Sequence, residues 1–231
     1  TGHTGFKGSW LTLWLSNLGA KIYGISLKAP TKPSNFKVLK LDKKCNTSNI
    51  NINQLNLLKN KIIKIKPDYI FHLAAQAIVS ESFRDPIQTF TTNTIGSINL
   101  LESLRLINKE CKLIMITSDK VYENVEWVYG YRENDKLGGT DPYSASKACA
   151  ELAIRSYFKS FLHNSNIKLG IARAGNVIGG GDWSENRLIP DCIRSWTKEL
   201  DVKLRSPNST RPWQHVFDPI NGYLTLALKL N

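Results

Sequence analysis

Strand-like and helix-like stretches alternate along this chain up to about residue 174, and several of the strands are apolar almost from end to end. Residues 69–75 (YIFHLAA), 112–117 (KLIMIT) and 168–172 (KLGIA) are the clearest. A strand with one wet face alternates apolar and polar residues, whereas a strand apolar throughout has both faces covered. Between the strands, residues 9–18, about 53–65, 88–108 and 142–161 place apolar side chains at helical spacing. That alternation predicts an α/β fold, a doubly wound parallel sheet with helices on both faces.

Local punctuation agrees. Residues 21–27 (KIYGISL) read as a further short strand, and the two prolines within residues 28–34 read as a loop. Lys66-Pro67 stops the helix before it. After about Ala174 the composition shifts toward Gly, Trp, Pro and Arg and the alternation fades, so a domain boundary is expected there. The chain opens on a glycine-rich turn, with neither a Met nor a strand before it. It therefore reads as a fragment lacking the first strand and the C-terminal part of the second domain.

Composition excludes several classes. Of the 231 residues, 42% are hydrophobic, enough for a core and against wholesale disorder. No run of about 18 apolar residues is present, so no membrane partner is expected. Cys45, Cys111, Cys149 and Cys192 have no paired spacing and read as reduced thiols of a cytoplasmic protein. The scattered His3, His72, His163 and His215 give no metal site. The net charge of +12 comes from dispersed Lys residues, so a solvated surface is preferred over a nucleic-acid partner.

Three motifs carry chemistry. Gly2-His3-Thr4-Gly5-Phe6-Lys7-Gly8 precedes a helix, where glycines let backbone approach a pyrophosphate at the helix N-terminus. Taken alone, such a turn is also an ordinary strand-to-helix connection. Ser118-Asp119-Lys120 follows an apolar strand, and ligands bind at the carboxyl ends of parallel strands. Tyr143 and Lys147 sit at i and i+4 on one helical face, after Asp141-Pro142 as cap and first turn. A cation beside a phenol favours phenolate and makes it a base, but the bare spacing also describes a surface pair.

In their order, the glycine turn, Leu73-Ala74-Ala75-Gln76, Asn93, Ser118 and Tyr143-x-x-x-Lys147 form an arrangement that resembles the extended short-chain dehydrogenase/reductases over nearly the whole chain. Residues 2–11, 117–133, 141–152, 173–183, 187–191 and 210–216 resemble, more finely, the CDP-glucose branch of the sugar-nucleotide dehydratases. There Asp-Lys stands where most dehydratases carry Asp-Glu, as at Asp119-Lys120 here.

The resemblance implies NAD as cofactor, CDP-glucose as substrate and a homodimer. Cofactor contacts would come from Gly2, Thr4, Gly5, Phe6, Lys7, Gly8, Asp42, Leu73, Ala74, Ala75, Gln76, Asn93, Tyr143 and Lys147. It also implies that Tyr143 takes the proton of the hydroxyl on carbon 4, that Lys147 holds the nicotinamide ribose and that Ser118 orients the hydroxyl. Lys120 would take the proton on carbon 5, and Asp119 would protonate the hydroxyl leaving carbon 6. Residues 1–174 are then the dinucleotide-binding domain and residues 175–231 the start of a smaller substrate domain.

For the nucleotide, Asn176, Arg187 and Arg211 are the expected contacts, since Arg grips a diphosphate through two parallel bonds. Trp183 and Trp213 are expected in the core, with base stacking as the alternative. Two departures stand out. Residues 77–83 (AIVSESF) lack the family's usual Pro at 77 and Arg near 80, and residues 26–28 lack the acidic residue that commonly binds the NAD ribose. Lys28 would suit a phosphorylated ribose, so the residues alone leave both NAD and NADP open. Two other readings compete. An epimerase of the same fold needs Tyr143 and Lys147 but no pair at 119 and 120; a non-catalytic nucleotide-sensing or RNA-binding member needs none of them.

Overall fold

The computed structural model describes residues 1–230. In chain order the elements are α1 (Phe6–Asn17), β1 (Tyr23–Ser26), α2 (Asn35–Val38), β2 (Asn46–Asn49), α3 (Leu55–Ile65), β3 (Tyr69–His72), α4 (Val79–Arg84), α5 (Pro86–Phe90), α6 (Gly96–Leu104), β4 (Cys111–Ile116), α7 (Pro142–Tyr157), β5 (Ile167–Ala172), β6 (Asn176–Ile178), α8 (Leu188–Trp196), β7 (Trp213–His215) and α9 (Phe217–Lys229). All strand pairs are parallel: β1 with β2, β3 with β4 and β4 with β5, and β6 with β7. Thr1 and Gly2 lie between β1 and β3 and bond to both, through Gly2 N to Ile25 O at 2.9 Å and Leu73 N to Thr1 O at 3.2 Å.

The side chains of β4 explain its unbroken apolar run. Leu113 and Met115 point into a core built from Leu58 and Ile62 of α3, Leu100, Leu101 and Leu104 of α6, and Ile154 of α7. Ile114 and Ile116 point the other way, against Tyr223 and Ala227 of α9. Leu11 of α1 packs with Val216 and Ile220 on that second side. Each buried Leu, Ile or Met contributes about 1.5–3 kcal/mol by leaving water, so both faces of the strand stabilise the sheet. This is the doubly wound parallel sheet expected from the sequence.

Two regions depart from the pattern reading. β2 is NTSN, a mostly exposed strand whose lone neighbour is β1. An edge with little to bury needs no apolar period, and none is present. Beyond Ala174 the strand–helix alternation continues through β6, α8, β7 and α9, and α9 returns to pack on the central sheet. The segment read as the start of a substrate domain thus lends its last helix to the sheet layer. Among the described residues, no helix is long and apolar enough to cross a membrane.

Candidate active site

The glycine turn is shaped by close backbone approach. A Cβ on Gly2, whose φ is +74°, would lie 2.6 Å from Ala74 N, and one on Gly8 would lie 2.1 Å from Gly2 O. Thr4 Oγ1 fastens the turn to the end of β1 through Ser26 Oγ at 2.8 Å and Leu27 O at 3.1 Å. A Cβ on Gly5 would meet only Gly2 O at 3.5 Å, so the space above the turn is open. Gly5 caps α1 with no side-chain bond, and the first turn carries no acid. Free N–H donors at the positive end of a helix, under open space, fit a pyrophosphate.

The second turn, residues 73–76, is held from below. Asn93 Oδ1 accepts from Gln76 N at 2.9 Å, while its Nδ2 donates to Gln76 O at 3.0 Å and to Ser146 Oγ at 2.9 Å. Asn93 reaches both partners from a π-helical turn, Thr91–Ile95, between α5 and α6. Such turns redirect a side chain out of the helical register. Asn93 therefore ties the turn at residues 73–76 to α7.

At the end of β4 the chain turns at once into a 3₁₀ turn, Asp119–Val121. Ser118 starts it: its Oγ accepts from Lys120 N at 3.2 Å and donates to Asp119 Oδ1 at 3.0 Å. Consecutive residues on a continuing strand would face opposite ways; the turn brings Asp119 and Lys120 to the same cleft, with Lys120 Nζ 3.9 Å from Asp119 Oδ1.

Asp141 caps α7, accepting from Ser144 N at 3.0 Å, with Pro142 in the first turn. Tyr143 and Lys147 are only 8% and 7% exposed, which removes the surface-pair reading. Burial raises the Tyr143 phenol, opposed by the Ser118 hydrogen bond and the Arg187 charge. Burial, and then the Lys7 charge, lowers Lys147 to about 7. Lys7 itself is lowered to about 8 by burial and Arg187, with Asp119 opposing.

Phe6, Lys7, Ser118, Asp119, Lys120, Tyr143, Asn176, Arg187 and Arg211 all line one cleft of about 450 Å³. The three residues expected at the nucleotide are thus brought to the expected chemical groups. Arg187 pairs with Asp182 at 3.1 Å, and Arg211 donates to Thr210 O at 2.6 Å. Asp42 stands apart from the glycine turn in its contacts: it lies in a 3₁₀ turn and pairs with Lys37 at 3.6 Å, both side chains in solvent. Trp183 and Trp213 are 38% and 41% exposed and are not core residues; Trp213 lines the cleft instead.

Sequence reasoning placed Lys7 only in the cofactor turn and passed over Tyr223. Lys7 Nζ reaches across to donate to Tyr223 OH at 3.3 Å, on α9 far along the chain. A lysine in the middle of a glycine turn is the signal that points to it, but its partner is set by tertiary packing.

A dinucleotide turn, a buried Ser-Tyr-Lys group at a parallel strand end and an Asn-Arg wall facing them define the class of extended short-chain dehydrogenase/reductases. The model of the GDP-mannose 4,6 dehydratase family matches residues 1–229, and the chain belongs to that family. It is 47% identical over 235 residues to CDP-glucose 4,6-dehydratase of Salmonella typhimurium, a match covering 100% of this chain and 66% of that protein. It is 32% identical to dTDP-D-glucose 4,6-dehydratase of Dictyostelium discoideum, covering 96% of this chain and 53% of that one. The chain thus spans just under two thirds of the first relative's length and about half of the second's. Among solved structures, UDP-glucose 4-epimerase of Thermus thermophilus in complex with NAD superposes with a TM-score of 0.85 at 26% identity, covering 100% of this chain and 74% of that one. A dTDP-glucose 4,6-dehydratase of Streptomyces venezuelae shares the fold, with a TM-score of 0.82 at 24% identity over 98% of this chain and 69% of that one.

Proposed function

We propose that this chain carries the reaction centre of a dehydratase that converts CDP-glucose to CDP-4-keto-6-deoxyglucose, with NAD as its resident cofactor. The observation that carries the reading is the shared cleft, in which Ser118, Asp119, Lys120 and Tyr143 face Asn176, Arg187 and Arg211. The similarity to the Salmonella CDP-glucose enzyme supports the substrate, and the NAD complex of the Thermus relative supports the cofactor. Gly2, Thr4, Gly5 and Gly8 would hold the pyrophosphate, and Lys147 the nicotinamide ribose. When bound, NAD would supply a hydride acceptor for the oxidation at carbon 4 and a hydride donor for carbon 6.

The chain's own groups do the rest. Tyr143 takes the proton of the hydroxyl on carbon 4, with Ser118 orienting that hydroxyl. Because burial raises the phenol, the opposing Arg187 charge and Ser118 bond are needed to bring it into range. The ketone at carbon 4 acidifies the hydrogen on carbon 5, which Lys120 removes. Asp119 protonates the hydroxyl departing from carbon 6. Carbon 5 then regains a proton from Lys120, 3.9 Å from Asp119, after exchange with solvent, and Asp119 is reprotonated through solvent by the proton that Tyr143 took from the hydroxyl on carbon 4, so no proton is gained or lost overall. Arg187 and Arg211 grip the diphosphate, and Asn176 meets the nucleotide.

An epimerase would need Tyr143 and Lys147 and leave the pair at 119 and 120 idle. The turn that brings both pair residues to the cleft favours the dehydratase. In this reading residues 175–231 begin the substrate side, contributing Asn176, Arg187 and Arg211, while α9 braces the sheet. We also read the protein as a cytoplasmic homodimer. The unpaired cysteines agree with a reducing compartment. Exposed Ile87, Ile95 and Leu152, on neighbouring helical segments, suit a subunit interface; sedimentation at equilibrium tests the dimer. Incubating the protein with CDP-glucose and NAD, and following keto-sugar formation, tests the reaction; recovery of unchanged CDP-glucose would sink it. Calorimetry with NAD and NADP tests the cofactor, and tighter binding of NADP would overturn that choice.

A further inference from the structure

Behind the reacting groups lies a carboxylate that the chemistry above does not use. Glu151 is fully buried on α7, one turn beyond Lys147 and two beyond Tyr143. It accepts from Thr117 Oγ1 at 3.2 Å, from Arg155 Nη2 at 2.7 Å and from Arg173 Nε at 3.0 Å, with a second bond from Arg173 Nη2. Thr117 immediately precedes Ser118. Arg173 ends the β5 segment that leads to Asn176, and it lies over the Tyr122 ring at 4.5 Å, two residues past Lys120. It also donates to Glu133 O at 3.2 Å, across the following loop.

Three segments that carry the site therefore meet on one side chain: the end of β4, the end of β5 and α7. We propose that Glu151 is a positioning residue that sets Ser118, Asp119 and Lys120 against Tyr143 and Lys147. The inference rests on the dehydratase reading for its kinetic readout. Burial disfavours the charge on Glu151, but the hydrogen bonds from Arg173 and Arg155 outweigh it and hold the carboxyl below its ordinary range. The group is thus an ionised hub whose two arginines fix its orientation. A misplacement of about 1 Å at a reacting group costs on the order of a hundredfold in rate, so a hub of this kind acts on turnover without touching substrate.

The test compares Glu151→Gln, which keeps the shape and loses the charge, with the parent. Three readouts are taken: kcat and KM for CDP-glucose, NAD binding by calorimetry, and the pH titration of the Tyr143 resonance in protein isotopically labelled at tyrosine Cζ. The expected result is a fall in kcat of about a hundredfold, with KM and NAD affinity within about twofold, and a shifted Tyr143 titration. A purely structural role would lower the melting temperature but leave kcat per folded molecule and the Tyr143 titration unchanged, and that result overturns the proposal. Should Glu151→Gln fail to fold, Thr117→Val decides. It removes one hydrogen bond to the hub, and a kcat loss of roughly fivefold is expected; a parent-like rate and titration count against the proposal. If the parent itself does not act on CDP-glucose, the dehydratase reading fails, and the Tyr143 titration alone then decides the role of Glu151.

Discussion

The two walls of the cleft are built by different means. On the α7 side Tyr143 and Lys147 are buried, and the segments around them are tied by Asn93 to the cofactor-side turn and by Glu151 to the ends of β4 and β5. On the other side Arg187 holds Asp182 in a partly exposed pair, and Arg211 stands in solvent bonded to its own neighbour's carbonyl. Buried groups on hydrogen-bonded segments are preorganised and need little rearrangement as charge develops. An arginine that is partly or fully in solvent is readily re-aimed from such partners to a ligand's phosphate oxygens. The contrast suits the proposed division, bond-making on the first wall and recognition on the second, and variants on each should separate the two.

The largest effect is expected from Tyr143→Phe, which removes the proposed base at carbon 4. Turnover should fall by roughly a thousandfold or more, with no transient nicotinamide absorbance on mixing with CDP-glucose. A visible transient would show that another group takes that proton. Next come Asp119→Asn and Lys120→Met, each expected to slow dehydration by about a hundredfold while the transient still forms and CDP-glucose still binds. Parent-like dehydration by both would break the division of labour between oxidation and elimination.

On the recognition wall, Arg211→Lys should raise KM for CDP-glucose by roughly tenfold with kcat nearly unchanged, because the ammonium cannot form two parallel bonds. An unchanged KM would move Arg211 out of the site. The smallest effect concerns stability. Lys147 titrates near 7 in the folded protein against an ordinary value of 10.5. Between these values the unfolded chain binds more protons, so this residue makes stability rise with pH across that window, and its burial as a cation is most unfavourable below it. Lys147→Met should therefore raise the melting temperature most below about pH 7, the gain fading toward about pH 10.5. A gain independent of pH would mean that the amine is not buried as a charge.

How much of this was legible in the sequence follows the same contrast. β4 is readable because both of its faces are covered, so Leu113, Ile114, Met115 and Ile116 had no choice but to be apolar. β2 is not, because NTSN at a sheet edge buries little. Ser118, Tyr143 and Lys147 are legible through the order of the motifs and the family resemblance, since the bare spacing fits a surface pair as well, and their burial depends on how α7 packs, which spacing does not encode. Lys7 meeting Tyr223, and Glu151 meeting Thr117 and Arg173, join residues distant in sequence. No local pattern specifies such pairs. Asp42 was expected at the cofactor from the resemblance and the two tryptophans in the core from residue type; their exposed positions, Asp42 in a 3₁₀ turn and Trp213 on the short strand β7, are set by packing that neither signal encodes.

The most direct test of the central claim, that one cleft both oxidises carbon 4 and eliminates water across carbons 5 and 6, is a reaction run in deuterated water. CDP-glucose and NAD are incubated with the protein, and the product is analysed by mass and by proton resonance. The account predicts a nucleotide sugar one water lighter, a ketone at carbon 4 and one solvent deuterium at carbon 5, with no net change in NAD. A product of unchanged mass, inverted at carbon 4 and free of deuterium at carbon 5, would contradict it and identify an epimerase.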